Sequence, residues 1–300
     1  MMFSLNQQHI DQMRQFAQKY FPCLLQARPA YGHKGTFGTV GILGGASGMV
    51  GAPLLAGSAA LLMGCGKVLV GFNQKTSPLQ VYEKQPELML RTAVDILANP
   101  QINTWLIGCG LGKDKTALSL LQQVMLKAKS SFVIDADALY FMNDESLNSL
   151  QTFIITPHAA EAAHLLRTSS SWVDSHRIET VQMLTKRYRC ITVLKGKNTL
   201  VADENGLLFT NPSGNVGLAS AGTGDTLAGM IASLLAQDLS PQEASMAAVW
   251  LHGLAADFLA ERMKGNIGIY ASELPEVARY LRNQLVDQPT FFNSGCFLSL

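Results

Sequence analysis

Short apolar runs alternate with longer segments of helical periodicity along most of this chain. Runs rich in β-branched and aliphatic residues predict strands at 39–43, 67–71, 104–107, 131–134, 152–155 and 191–194. Apolar residues three or four positions apart predict helices at 4–20, 53–63, 115–128, 158–167, 173–188, 226–236 and 241–260. Ser4 is a candidate N-cap for the first helix. Two runs, 199–202 and 207–210, flank Glu204-Asn205-Gly206 and predict a β-hairpin.

This alternation predicts an α/β fold with a mainly parallel central sheet covered by helices on both faces. The strands that end at Ile134, Ile155 and Leu194 are expected to open on one crevice. No linker rich in Pro, Ser or charge interrupts the chain, so we expect a single domain over residues 1–300. Within it we expect three parts, an N-terminal helical extension, a main body and a C-terminal tail, at 1–30, 31–283 and 284–300.

Composition narrows the functional classes. Hydrophobic residues make up 48% and charged residues only 15% of the chain, against roughly 25% charged in an average globular protein. We therefore expect much buried surface and a homo-oligomer. The net charge of +1 does not favour a nucleic-acid or anionic-membrane partner. A polar N-terminus and the lack of any apolar run of about 20 residues favour a cytoplasmic protein rather than a membrane protein.

Cysteines are few and scattered, and they form no CxxC pair. This arrangement supports neither a zinc site nor a disulfide framework, and it fits a reducing compartment. No residue is predicted to ligate a metal. The five cysteines are Cys23, Cys65, Cys109, Cys190 and Cys296.

The strongest chemical signal is a segment of small residues, 211–224, that leads directly into an apolar helix. A glycine-rich loop before a helix offers free backbone N–H groups and the positive end of the helix dipole, which suits a phosphate. Asp225 stands at the start of this helix. It can accept a proton from a hydroxyl group that attacks a phosphate. The alternative is that Asp225 only caps the helix, because aspartate is a favoured N-cap.

The motif AGTGD at 221–225, followed by TLAG, resembles the signature of ribokinase-like enzymes. The preceding segment 211–217 (NPSGNVG) is similar to that of the NAD(P)H-hydrate dehydratases within this group. Four further segments resemble the same family in the same order: 34–52 (KGTFG and GGASGMVGA), 107–112 (IGCGLG), 156–161 (TPHAAE) and 194–199 (LKGKNT). The resemblance covers about residues 30–260 and implies a ribokinase-like three-layer fold. The chain departs from the family at Cys109, Ala159-Ala160 and Ala221, where Pro, Pro-Gly and Gly are common.

The resemblance also implies roles for individual residues. Asp225 would be the catalytic base and would contact the substrate. The other expected substrate-binding residues are Ala52, Gly110 and His158. The expected nucleotide-binding residues are Lys195, Gly196, Lys197, Asn198, Thr199, Gly222, Thr223 and Gly224.

Several residues in or beside these motifs could have a structural role instead of a functional one. The glycines at 41–48 do not have the G-x-G-x-x-G spacing of a dinucleotide fingerprint, which disfavours a classical dehydrogenase. Cys109 is expected to be structural. Asp135 and Asp137 follow a strand; one is expected to cap the next helix and the other to face the crevice. His158 is either a binding residue or a helix cap.

The resemblance implies a metabolite-repair lyase that dehydrates hydrated NADH or NADPH (NADHX or NADPHX). Its co-substrate would be ADP or ATP, its cofactor Mg²⁺, and its assembly a homotetramer. Two alternatives remain at this point. One is a small-molecule kinase of the same fold, such as a vitamin-precursor kinase, which shares the 222–225 motif. The other is a non-catalytic nucleotide-binding protein, which the departures from the family pattern leave open.

Overall fold

The computed structural model describes residues 5–127, 130–143 and 153–286. Within these residues, nine strands form one sheet in the order β3-β2-β1-β4-β5-β6-β7-β8-β9. Strands β3 to β7 along this order are parallel, and β8 and β9 are added antiparallel. Their bounds are β1 (Thr39–Gly44), β2 (Lys67–Phe72), β3 (Met89–Thr92), β4 (Thr104–Ile107), β5 (Ser131–Ile134), β6 (Phe153–Ile155), β7 (Ile191–Leu194), β8 (Leu200–Asp203) and β9 (Gly206–Thr210).

Helices cover both faces of the sheet, as the alternation of apolar runs predicts. Their bounds are α1 (Gln7–Tyr20), α2 (Gly51–Leu62), α3 (Ala93–Leu97), α4 (Lys115–Met125), α5 (Ala159–Leu166), α6 (Ser170–Ser175), α7 (Arg177–Tyr188), α8 (Thr223–Ala236), α9 (Pro241–Met263) and α10 (Leu274–Leu285). Neighbouring residues of β1 point to opposite layers, with Ile42 in one buried cluster and Leu43 in the other. The core is therefore split into two layers by the sheet.

Helix α8 packs directly against helix α2. A Cβ atom at Gly229 of α8 would lie only 2.1 Å from the carbonyl oxygen of Ala56. Because glycine has no side chain, the two helix backbones can approach this closely. This contact fixes the position of α8, which carries Asp225 in its first turn.

The N-terminal helix packs on the main body. The Phe16 ring stacks on Trp250 of α9 with the ring centroids 5.2 Å apart, and Phe21 is fully buried beside it. The helix begins at Gln7, and its N-cap is Asn6, whose side chain accepts a hydrogen bond from the His9 N–H. The prediction that Ser4 is the cap is wrong, and Ser4 itself lies outside the described residues.

Several predicted boundaries are also wrong. The helix predicted at 173–188 is two helices, α6 and α7, which are separated at His176. Helix α8 begins three residues earlier than the predicted start at 226, and α9 continues to Met263. Strand β3 and helices α3 and α10 were not predicted. Residues 128, 152 and 287–300, including most of the predicted tail, lie outside the described residues.

Candidate functional site

The candidate site lies at the carboxyl ends of β4, β5, β6 and β7. These strands are parallel neighbours, so the residues that follow them meet at one edge of the sheet. This confirms the crevice predicted at Ile134, Ile155 and Leu194. The 108–112 loop and the start of α8 lie on the same side, because ligand atoms of Cys109, Asp135 and Asp225 are all within 4.8 Å of one another.

The loop before α8 ends at a helix N-terminus that borders the crevice. Gly222 is the N-cap, in the left-handed conformation with φ 85°, where a side chain is strained and where an added Cβ would also meet Leu55. The Thr223 hydroxyl donates to the carbonyls of Leu218 and Ser220, which closes the loop. The first-turn N–H groups of the helix have no partner within the helix and can bind an anion.

Asp225 is the third residue of α8 and not its N-cap. Among the described residues, no side chain forms a cap hydrogen bond at this helix end. The capping alternative for Asp225 is therefore wrong. The φ angle of Ala221 is not positive. The backbone at this position therefore suits alanine, although the family often has glycine here.

Asp225 is mostly buried, and its environment makes the carboxyl group more basic. Burial raises its pKa to about 6, and the negative charge of Asp135 adds to this shift. Two groups oppose it: the Cys109 thiol, a potential hydrogen-bond donor within 4.8 Å of the carboxylate, and the Lys195 ammonium. A carboxylate with a pKa close to neutrality is suited to accept a proton in catalysis.

Asp135 has the opposite surroundings. It is 1% exposed, and its Oδ1 accepts hydrogen bonds from the Lys195 Nζ at 2.6 Å and the Thr156 hydroxyl at 2.7 Å. Lys195 Nζ also lies 3.7 Å from Oε2 of Glu161. Burial lowers the pKa of Lys195, but the carboxylates Asp135 and Glu161 outweigh this effect and leave the pKa raised. Lys195 is therefore a fixed cation at the edge of the crevice.

The side chain of Asp135 does not cap the short 3-10 helix Ala136–Phe141 that follows it, although Asp135 occupies the cap position. Asp137 instead accepts a hydrogen bond from the backbone N–H of Gly112 at 2.9 Å. One of the two aspartates thus occupies the cap position, as expected, but the expected division of roles is wrong, because the residue at the cap position is also the one that faces the crevice. Asp135 belongs to the crevice, and Asp137 supports the 108–112 loop.

His158 forms the N-cap of α5. Its Nδ1 accepts hydrogen bonds from the N–H groups of Ala160 at 3.1 Å and Glu161 at 3.3 Å. Glu161 completes a capping box, because its Oε2 accepts a hydrogen bond from the His158 N–H at 2.7 Å. The structure thus gives this histidine a capping role, and substrate contact remains a prediction.

Two of the predicted substrate-binding residues are neighbours. Gly110 has φ +60°, and a Cβ atom built on it would lie 3.4 Å from the Cβ of Ala52. The same atom would lie 2.8 Å from the carbonyl oxygen of Met49, so a side chain at position 110 would be crowded. Gly110 and Ala52 therefore form one small-residue wall on the side of the crevice made by β4 and α2.

A cavity of about 590 Å³ extends from the start of α8 between the 195–199 and 211–219 loops. Thr223 and Gly224 line one end of it, directly before Asp225 in the chain. Seven of the eight predicted nucleotide-binding residues line this cavity; Gly222 does not. The lining residues that sequence reasoning missed are Asn211, Ser213, Gly214, Asn215, Val216, Leu218, Ala219, Leu227, Val249, His252 and Gly253.

The cavity wall is held from α9. Asn211 Nδ2 donates to the Val249 carbonyl at 3.2 Å, and Gly214 N–H donates to the Asp257 carboxylate at 2.7 Å. His252 is buried in the same wall, and burial lowers its pKa to about 4, so the ring is neutral near pH 7. These contacts set the width of the cavity without placing a charge from α9 in it.

Within the described residues, Cys109, Asp135 and Asp225 are the closest group of potential metal ligands. They do not fit Mg²⁺, which requires oxygen ligands in octahedral geometry. Burial raises the pKa of the Cys109 thiol well above its usual value, and a neutral sulfur is a poor ligand for a hard cation. Asp135 Oδ1 is already bound to the Lys195 ammonium. We therefore assign no protein-held Mg²⁺ to this group.

The chain is similar to known proteins over most of its length. The family profile described as NAD(P)H-hydrate dehydratase matches residues 40–277. The chain is 43% identical to an ADP-dependent (S)-NAD(P)H-hydrate dehydratase of Neisseria meningitidis serogroup B, covering 94% of this chain and 97% of the relative. It is 39% identical to a bifunctional NAD(P)H-hydrate repair enzyme of Coxiella burnetii, of which it spans 54%. No helix in the described part of the chain has the length and apolar character to span a membrane.

Solved structures support the same relationship. An ADP/ATP-dependent NAD(P)H-hydrate dehydratase from Bacillus subtilis, co-crystallised with ATP and Mg²⁺, superposes with a TM-score of 0.80 at 29% identity, covering 91% of this chain and 97% of that one. A ribokinase-like superfamily protein from Enterococcus faecalis superposes with a TM-score of 0.77 at 27% identity, covering 92% of this chain and 95% of that one. The fold is therefore ribokinase-like, and the chain belongs to the NAD(P)H-hydrate dehydratase family.

Proposed function

We propose that this protein dehydrates hydrated NADH and NADPH in a reaction that consumes ADP or ATP. The observation that carries the proposal is the position of Asp225. Its carboxyl group, with a pKa raised to about 6, lies in the first turn of α8, directly after the N–H groups that open on the nucleotide-sized cavity. A proton acceptor and an anion-binding site thus share one helix end.

The chemistry follows from this arrangement. Asp225 accepts the proton of the hydroxyl group on the saturated nicotinamide ring. The hydroxyl oxygen then attacks the terminal phosphorus of the nucleotide, and the bond to the bridging phosphate oxygen breaks. The phosphate ester leaves the ring together with a ring proton, which restores the dihydropyridine and releases phosphate. These reaction steps conserve all atoms and charges and need no oxidant or reductant.

The residues around Asp225 have separate roles in this scheme. The N–H groups at the start of α8 that have no backbone partner stabilise the charge on the phosphoryl group in transfer. The Lys195 ammonium lies at the same edge of the crevice and attracts the phosphates. Mg²⁺ would enter with the nucleotide and would neutralise charge on its phosphates.

The relatives support this substrate class. The Neisseria meningitidis and Bacillus subtilis relatives are named as ADP-dependent dehydratases of NAD(P)H hydrate. The B. subtilis structure is described as ADP/ATP-dependent. We therefore propose ADP as the principal phosphoryl donor, with ATP as an alternative.

Product analysis tests the proposal against both alternatives. The protein is incubated with NADH hydrate, Mg²⁺ and either ADP or ATP, while free phosphate and the absorbance of the reduced nicotinamide ring are followed. The proposal expects equal amounts of phosphate and NADH. A stable phosphorylated compound without NADH would select the kinase alternative. Nucleotide binding with neither product would select the non-catalytic alternative.

We also propose a cytoplasmic homotetramer, on the low charged fraction of the chain and the family resemblance. Light scattering at micromolar concentration tests the assembly. A mass of four chains of 32.4 kDa is expected, and a monomer would contradict the proposal.

A further inference from the structure

Lys195 lies close to two buried or partly buried aspartates but pairs with only one of them. Its positive charge acts on Asp225, and its Nζ is 3.4 Å from the position of a Cβ atom built on Gly224, the residue before Asp225. Nevertheless, among the described residues the ion pairs of Lys195 are with Asp135 at 2.6 Å and Glu161 at 3.7 Å. The ion pair between Lys195 and Asp225 is not formed.

The strand ends hold the ammonium in this position. Asp135 is fixed at the end of β5 by the hydrogen bond from Thr156, and Glu161 is fixed in the first turn of α5 by the His158 N–H. The contact of Lys195 with Asp135 is a short, buried, charge-assisted hydrogen bond, and Glu161 adds a second negative charge beside the ammonium. Asp135 therefore competes successfully with Asp225 for the lysine.

We infer that Asp135 is a positioning residue that holds the Lys195 ammonium away from Asp225, so that Asp225 remains an unpaired proton acceptor. The inference rests on the proposed function, in which Asp225 is the base. An opposite charge in contact favours the ionised form of a carboxyl group and makes it a weaker base. In the observed position the ammonium instead borders Gly224, at the end of the cavity where phosphates are expected.

Four groups face Asp225, and their charges predict how replacing Asp135 changes the pKa of Asp225. Asp135 and, more weakly, Asp137 raise the pKa of Asp225, whereas Cys109 and Lys195 lower it. Replacing Asp135 removes a negative charge and also releases Lys195 to contact Asp225. Both changes lower the pKa of Asp225. Asp137 contacts Gly112 and Lys113 rather than Lys195, so its replacement by asparagine removes a negative charge and the Lys113 ion pair but leaves Lys195 bound to Asp135.

The test is the pH dependence of kcat/KM for Asp135→Asn. Its acid limb should move to lower pH by about one unit, since a contacting opposite charge lowers a carboxyl pKa by about 1–3 units. The rate on the plateau should fall about tenfold as the base weakens and the lysine leaves the phosphates. Asp137→Asn is the matched control and should move the limb much less. An Asp135→Asn limb that stays in place or moves to higher pH would overturn the inference.

A double-substitution cycle with Lys195→Met separates positioning from an independent role. If Asp135 acts mainly through Lys195, adding Asp135→Asn to Lys195→Met should cause a much smaller loss of kcat than Asp135→Asn causes in the wild type, because only its direct charge effect on Asp225 remains, whereas independent roles would multiply the losses. The same variants can also be compared by thermal stability, which does not depend on catalytic activity. Lys195→Met leaves a buried carboxylate unpaired and should lower Tm, and the double variant, which is neutral at both positions, should recover part of it. If the double variant melts lower than Lys195→Met, the inference fails.

These outcomes are distinct from a failure of the proposed function. An active Asp225→Asn variant would remove Asp225 from the role of base and the positioning inference with it. If Asp225→Asn is inactive but the acid limb of the kcat/KM profile does not shift in Asp135→Asn, Asp225 keeps its role as the base. Only the positioning role of Asp135 is then contradicted.

Discussion

Two aspartates face each other across the crevice in opposite settings. Asp135, on the side formed by the strand ends, is buried and pairs with Lys195 and Thr156. Asp225, at the start of α8, interacts among the described residues with a weak thiol donor, Cys109, while burial and the charge of Asp135 raise its pKa to about 6. In the proposed mechanism the same residue type thus serves as an anchor where a cation is bound and as a base where it is not. When two carboxyl groups have different surroundings, those surroundings assign their roles.

The largest expected effect is that of Asp225→Asn on turnover. Asparagine keeps the shape of the side chain but cannot accept the proton, so the rate should fall at least about a hundredfold, as general-base catalysis contributes roughly two to four decades. Nucleotide affinity should persist, because backbone N–H groups and Lys195 remain. Steady-state rates and nucleotide titration on the same folded variant check this. More than about a tenth of wild-type turnover would remove Asp225 from the role of base.

The same substitution should make the protein more stable at neutral pH. The folded-state pKa of about 6 lies above the ordinary value of 3.8, so wild-type stability falls as pH rises from about 4 to 6 and Asp225 becomes charged. Asparagine avoids this cost, which corresponds to roughly 2–3 kcal/mol at pH 7. The measurement is denaturant unfolding of both proteins at pH 4 and pH 7. A variant less stable than wild type at pH 7 would show that the Asp225 carboxylate is a stabilising group.

A third prediction concerns the wild-type pH profile. Below a pH of about 6 the Asp225 carboxyl is protonated, and kcat/KM should fall about tenfold for each further pH unit. Nucleotide phosphates also titrate near pH 6, so nucleotide affinity over the same range is the necessary control. A profile that stays flat to pH 4 after that correction would contradict the raised pKa.

The smallest expected effect is at Cys109. Its thiol lies near Asp225 and, as a potential hydrogen-bond donor, lowers the pKa of that carboxyl group, so Cys109→Ala should move the acid limb to higher pH by about a few tenths of a unit, since a thiol is a weak donor. Cys109→Ser retains a donor and should move it less. Cys190→Ala, a buried cysteine at the start of β7, controls for loss of core volume. Equal shifts for the alanine and serine variants would show that the hydrogen bond is not the cause.

Local patterns explain most of the fold. Buried parallel strands such as β4 and β7 are short runs of β-branched and apolar residues, so the sequence displays them directly. Strand β3 is a short edge strand with partly exposed residues and lacks this signal. Helix α10 is different, because Leu274, Val277, Ala278, Leu281 and Leu285 repeat at helical spacing and are all buried. That pattern was present in the sequence, and the prediction overlooked it.

The site was less accessible to sequence reasoning. The position of Asp225 follows from local chemistry, since small residues before an apolar helix indicate an anion site. The bond between Asp135 and Lys195 joins residues 60 positions apart, and no local pattern encodes it. Val249 and His252 of α9 line the cavity, but in the sequence they are indistinguishable from core residues of an apolar helix.

Direct titration of the two aspartates tests the central contrast most directly. The carboxyl signals of isotope-labelled aspartate can be followed by NMR across pH, with Asp225 assigned by its disappearance in Asp225→Asn. We predict a midpoint for Asp225 at a pH of about 6. A midpoint at or below the ordinary value of 3.8 would show that Asp225 is paired or well solvated, and it would contradict its role as the unpaired base.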